Sequence, residues 1–174
     1  MAIKHNVQIG VIGDSQIRFR EQYEIAYEIG REIARAQAIL VCGGRGGVME
    51  AACKGAFEHS GITVGILPTD VSDPEVNDYL TIRIPTFLYW TRNSLVPLAS
   101  DGIIAVGGQA GTLTEIAYSW IGHKPLVCMT SISGWSKEIG ERGYIDDRER
   151  GRVMTAETGV SAVQQVLSAI SRPK

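Results

Sequence analysis

The stretch Gly102-Ile103-Ile104-Ala105-Val106-Gly107-Gly108-Gln109-Ala110-Gly111-Thr112-Leu113-Thr114-Glu115 decides the fold. An uninterrupted apolar run reads as a strand covered on both faces. The glycine doublet reads as a tight turn, and residues 112–121 carry a helical pattern. The same order of strand, glycine turn and helix occurs twice upstream. Residues 7–13 lead into Asp14, Ser15 and a helix over 19–36. Residues 38–42 lead into Gly43-Gly44-Arg45-Gly46-Gly47 and a helix over 48–58. Strands alternating with helices predict βαβ units and a doubly wound, mostly parallel, Rossmann-like α/β sheet.

The remaining elements fit this frame. Residues 62–67 form a strand stopped by Pro68, and residues 69–79 form a loop. Residues 80–84 are a strand candidate. Residues 87–96 read as a helix that Pro97 kinks or ends. Strands are predicted over 125–129 and 153–154, with a closing helix over 159–170. Residues 131–152 are polar and carry no clear pattern. In the helix over 19–36, Ile25, Ile29 and Ile33 make one stripe. Ala26, Gly30 and Ala34 make a thin one that lets the axis approach a sheet. No repeat or linker interrupts the chain, so residues 1–174 are read as a single ligand-binding domain.

Composition narrows the function classes. The chain has 174 residues, a formal net charge of −2 and a hydrophobic fraction of 44%. A sequence pI near 5.9 argues against nucleic-acid binding by bulk charge. No signal-peptide-like segment or apolar run of membrane-spanning length occurs, so a cytoplasmic protein without membrane contact is expected. Three cysteines (Cys42, Cys53, Cys128) read as buried small hydrophobes in a reducing compartment. His5, His59 and His123 share no metal spacing, and no metal site is expected. The aromatic residues Tyr89, Trp90, Tyr118, Trp120 and Trp135 read as core or subunit interface rather than a stacking platform.

Three turns lie between strands and helices, and there chemistry is expected. They are Gly13-Asp14-Ser15, Gly43–Gly47 and Gly107-Gly108-Gln109-Ala110-Gly111-Thr112. Glycine admits close backbone approach, and a following helix presents unpaired N–H groups to an oxyanion. Two such loops suggest a ligand held from both sides, with phosphate at one end. Neither loop has the dinucleotide or Walker spacing. Thr112 and Glu115 fit a capping box, which leaves Glu115 free to touch a ligand as well. Arg92 is either an anion clamp or a solvated edge residue. Arg45 either reaches a phosphate or faces solvent. Asp14 and Ser15 either cap the first helix or touch the ligand.

The segments Gly43-Gly44-Arg45-Gly46-Gly47-Val48-Met49-Glu50 and Gly107–Glu115, with Arg92-Asn93 between them, resemble a known family. It comprises Rossmann-fold proteins once described as possible lysine decarboxylases. It includes the LONELY GUY cytokinin-activating phosphoribohydrolases and the molybdenum cofactor carrier proteins. The similarity covers about residues 7–129. Arg92, Gly107, Gly108, Gly111, Thr112 and Glu115 match the phosphoribohydrolase pattern. Val106 in place of proline, the extra residue in Gln109-Ala110, and Asn93 in place of lysine resemble the carrier branch.

The resemblance implies a carrier for molybdenum cofactor (molybdopterin), a phosphate-bearing pterin, with a molybdoenzyme as recipient. The two glycine loops, Arg92, Asn93 and Glu115 would form its site. A second reading is a nucleoside 5′-monophosphate phosphoribohydrolase using Arg92 and Glu115. A third is a nucleotide or metabolite sensor. The resemblance also implies a homo-oligomer, dimer or tetramer, with residues 87–96 and the surroundings of Trp120 at the interface.

Overall fold

Seven strands lie side by side in the order β4-β3-β2-β1-β5-β6-β7, and all six neighbouring pairs run parallel. They are β1 (Gln8–Gly13), β2 (Ile39–Cys42), β3 (Ile62–Leu67), β4 (Ile82–Pro85), β5 (Gly102–Val106), β6 (Leu126–Met129) and β7 (Met154–Ala156). The computed structural model describes residues 6–148 and 152–171. His5 therefore lies outside the described residues. The helices are α1 (Arg20–Arg35), α2 (Val48–Phe57), α3 (Leu95–Leu98), α4 (Ala110–Ile121), α5 (Trp135–Arg142) and α6 (Gly159–Ile170).

Both faces of the sheet carry helices, as the unbroken apolar strands require. One core joins Ile9, Val11, Leu40 and Leu67 to α1, α2 and α6. The other joins Ile12, Val41, Ile103 and Leu126 to α3, α4 and α5. In α1, Ile25, Ile29 and Ile33 are buried, as their stripe predicts. The thin stripe does something other than expected. Space for a Cβ at Gly30 is taken by the Ala52 backbone, and space at Gly55 by the Tyr27 backbone. The small residues bring α1 against α2 rather than against the sheet.

One local expectation is corrected, and two further segments become defined. Residues 87–96 are not one α-helix: Phe87 and Leu88 precede a 3-10 helix, Tyr89–Ser94, which runs into α3. Pro97 sits inside the first turn of α3, where its missing N–H costs no hydrogen bond. The unassigned segment 131–152 contains α5, which Gly143 closes in the left-handed conformation at φ 79°.

Strand order reverses between β1 and β5, since β1 pairs β2 on one side and β5 on the other. In an open parallel sheet such a switch leaves a crevice at the carboxyl ends of the strands. All three glycine turns open at that rim.

Candidate functional site

A cleft of about 480 Å³ occupies this crevice, within the roughly 300–1,000 Å³ range of small-molecule sites. Of the residues expected from the sequence, Gly13, Asp14, Ser15, Arg45, Arg92, Asn93, Gln109, Gly111, Thr112 and Glu115 line it. Gly43, Gly44, Gly46, Gly47, Gly107, Gly108 and Ala110 do not. Gln16, Arg18, Met49, Pro68, Thr69, Tyr89 and Trp90 line it as well and escaped sequence reasoning. Gln16 and Arg18 could have been found as the continuation of the turn after β1. Tyr89 and Trp90 are only three and two positions from Arg92.

The glycines serve the protein more than the cleft. The Gly108 N–H donates to Asp14 Oδ2 at 2.9 Å, and the Gly107 N–H to Ser136 Oγ at 2.8 Å. The Gly44 N–H donates to Cys42 Sγ at 3.3 Å. These donors are already taken, so they are not the expected oxyanion cradle. Gly108 adopts φ 101° and returns the chain toward α5, whose Trp135 N–H reaches the Gly108 carbonyl. At Gly43 the requirement is space, because a Cβ there would collide with the Arg92 guanidinium.

The turn at Gly107-Gly108 also moves the start of α4. Its N-cap is Gln109, in extended backbone without a side-chain cap bond. The first intrahelical bond runs from the Leu113 N–H to the Gln109 carbonyl. Thr112 is therefore within the first turn, not the N-cap, and the expected capping box does not form. The first turn contains no acidic residue. The N–H groups of Ala110, Gly111 and Thr112 belong to the unpaired amino end of the helix, which favours an anion.

Glu115 stands one turn further on and is buried. Its Oε1 lies 3.5 Å from Arg92 Nη1. Burial pushes its pKa from 4.5 up to about 7, against the opposing pull of Arg92. Arg92 is only 7% exposed at its side chain. Burial lowers its pKa and Glu115 partly restores it. Its Nε has no hydrogen-bond partner, an arrangement costly for a buried cationic donor. Asn93 is held by its amide on Thr114 Oγ1 at 3.1 Å.

Two further expectations change. The Asp14 carboxylate caps no helix: it takes the Gln22 amide at 2.8 Å as well as Gly108, and Arg18 Nη2 lies 3.3 Å from its other oxygen, while the Asp14 carbonyl accepts the Val48 N–H at the start of α2. The N-cap position of α1 is Phe19. Arg45 is half-buried at the cleft and not free, since its guanidinium pairs with Asp73 and Glu75 of the β3–β4 loop. Cys42 and Cys53 are buried with their sulfurs 3.5 Å apart, and Cys128, pushed up to about 12 by burial, is a core thiol. Trp120 is buried and donates its indole N–H to Asp146, whereas Trp90 is 85% exposed and cannot be core. Among the described residues no group of three or more His, Cys, Asp or Glu could hold a metal, and no helix is long and apolar enough to cross a membrane.

Comparison with known proteins agrees with this architecture. A model of the SLOG cluster4 family matches residues 6–163, well past the 7–129 span of the motif resemblance. The molybdenum cofactor binding protein of the phototrophic bacterium Rippkaea orientalis superposes with a TM-score of 0.84 at 31% identity, covering 96% of this chain and 99% of that one. The molybdenum cofactor carrier protein of Chlamydomonas reinhardtii gives a TM-score of 0.77 at 32% identity, covering 94% and 99%. A cytokinin riboside 5′-monophosphate phosphoribohydrolase of Mycobacterium marinum is 25% identical over 158 residues, 83% of this chain and 84% of that one.

Proposed function

The chain belongs to the SLOG cluster4 family, and on that basis we propose that it binds and carries a phosphate-bearing cofactor, molybdenum cofactor (molybdopterin). The observation that carries this reading is the buried Arg92, with an unpartnered Nε, in the same cleft as the uncapped amino end of α4. A phosphate there would take the N–H groups of Gly111 and Thr112 and the Arg92 guanidinium. The residues present fit such a group, because an oxyanion would give the buried guanidinium of Arg92 a partner, and its Nε is a buried side-chain donor left without one among the described residues. The cleft, open to solvent, suits a cargo that must leave again. The likeness to two molybdenum cofactor proteins over nearly their whole length supports the choice of cargo.

The test loads purified protein with the cofactor and then supplies a cofactor-free molybdoenzyme. Activity transfer and protection of the cofactor above those given by an inert protein are expected. Equality with the inert protein would overturn the reading.

One observation favours a second reading. A buried carboxyl with pKa about 7 beside an arginine suits acid–base work at neutral pH. In a phosphoribohydrolase, Glu115 would activate water or stabilise an oxocarbenium-like ribose while Arg92 held the phosphate. Release of free base and ribose 5-phosphate from a nucleoside 5′-monophosphate, lost in Glu115→Gln, would establish that activity. Self-association is part of the proposal too. Every residue of the edge strand β4 is exposed, Ile82 and Ile84 included, and light scattering reads the mass directly.

A further inference from the structure

The cleft has an aromatic wall as well as an anionic pole. Tyr89 and Trp90 line it beside Pro68 and Met49. Trp90 is 85% exposed and Tyr89 63% exposed, and among the described residues no ring stacks on either. An indole left this open in a cleft wall offers a flat apolar face with no occupant from the protein itself.

The backbone that presents it is strained. Phe87 and Tyr89 adopt φ 57° and 49°, a region that side-chain-bearing residues avoid and that persists only where the surroundings enforce it. Here the enforcement is visible. The Thr86 N–H and hydroxyl both donate to the Leu67 carbonyl, at 3.1 and 2.7 Å, and the Tyr89 N–H donates to the Pro68 carbonyl at 3.0 Å. The end of β3 thus holds residues 86–89 in a conformation they would not choose. The 3-10 helix that follows carries Trp90 and Arg92, and both reach the one cleft.

We propose that Trp90 is a stacking platform for a planar fused-ring heterocycle, so that the cleft takes a heterocycle joined to a phosphate. This deepens the binding reading above and rests on it. Arg92 and the amino end of α4 hold the phosphate, and Trp90 holds the ring. Stacking on an exposed indole is tolerant of ring identity, because every such ring has a π-face. Trp90 then contributes affinity for the heterocycle and none for phosphate alone.

The experiment measures binding by calorimetry to the whole chain and to Trp90→Ala and Trp90→Phe. The probes are inorganic phosphate, adenosine 5′-monophosphate, neopterin phosphate and unphosphorylated neopterin. Trp90→Ala should weaken the tighter of the two heterocyclic phosphates about tenfold, while Trp90→Phe stays within about threefold of wild type. Phosphate affinity should be unchanged in both. Equal heterocycle affinity in wild type and Trp90→Ala overturns the proposal, as does an equal loss for phosphate. So does a change in sedimentation with unaltered affinity, which would assign the indole to contact with a second copy of the chain. Phosphate binding with no Trp90 effect would spare the anion reading and sink the platform. Trp90-dependent neopterin binding without phosphate binding would do the reverse. Binding of no probe by wild type would overturn both.

Discussion

The carboxylate of Asp14, one residue beyond β1, accepts the N–H of Gly108, two residues beyond β5, at 2.9 Å. The same oxygen takes the buried Gln22 amide. One short side chain thereby closes the switch point of the sheet and holds the second glycine loop against the first turn.

Asp14→Ala should be markedly destabilising. It leaves the Gly108 N–H and the Gln22 amide without their acceptor in a buried site, at a cost of roughly 2–4 kcal/mol. Asp14→Asn should lose less, since it keeps one acceptor and the volume. Urea midpoints at constant slope measure both, and an Asp14→Ala midpoint equal to wild type would remove the bridge from the account.

Glu115 makes stability depend on pH in a defined window. Its folded pKa, about 7, lies above its ordinary 4.5, so between these values the folded state binds more protons than the unfolded one. The contribution is fully present below pH 4.5 and is lost as pH rises through 7. The size is of the order of 3 kcal/mol. Glu115→Gln should flatten this part of the profile, measured by urea unfolding at successive pH values against wild type. A slope that survives the substitution would point to other groups.

The same carboxyl should couple to anions. Sulfate keeps its charge across this range, so it reports Glu115 and not its own titration. An anion beside Arg92 favours the protonated carboxyl, so sulfate should bind tighter as pH falls from 8 to 6. A change of about tenfold corresponds to a coupling of ~1.4 kcal/mol. Glu115→Gln should bind sulfate with little dependence on pH. Titration calorimetry at each pH decides it.

Gly43→Ala tests the seat of Arg92. The added Cβ meets the guanidinium, so the arginine must shift while the strand and loop remain. Sulfate affinity should fall about tenfold or more, with far-UV circular dichroism unchanged. Unaltered affinity would mean that the Arg92 position is not set by Gly43.

Much of the architecture could be read from the chain alone. The strands β3 and β5 and the helix α6 fall on the residues that their apolar patterns predict. The family resemblance rests on two glycine loops and Arg92-Asn93, and the SLOG cluster4 match extends it to residue 163. Residues 131–152 were illegible because α5 is polar on most of its surface and is positioned by contacts made elsewhere, such as the Ser136 N–H on the Gly107 carbonyl. The sequence of the 3-10 helix suits an α-helix equally well because its apolar residues fit either, and the strain at Phe87 and Tyr89 leaves no mark in composition.

Sequence by itself determined the strands of the sheet centre, the long helices α1, α2, α4 and α6, and that glycine turns follow β1, β2 and β5, because burial periodicity and the tolerance of glycine are local properties. Only the tertiary structure decided what those turns do. Whether an N–H is spent inside the protein or left for a ligand depends on partners far along the chain, as with Asp14 on Gly108 and Ser136 on Gly107. The same holds for Arg92 and Glu115: their residue types were visible, but their pairing, and the burial that shifts the carboxyl toward neutrality against it, arise when the 3-10 helix packs against α4.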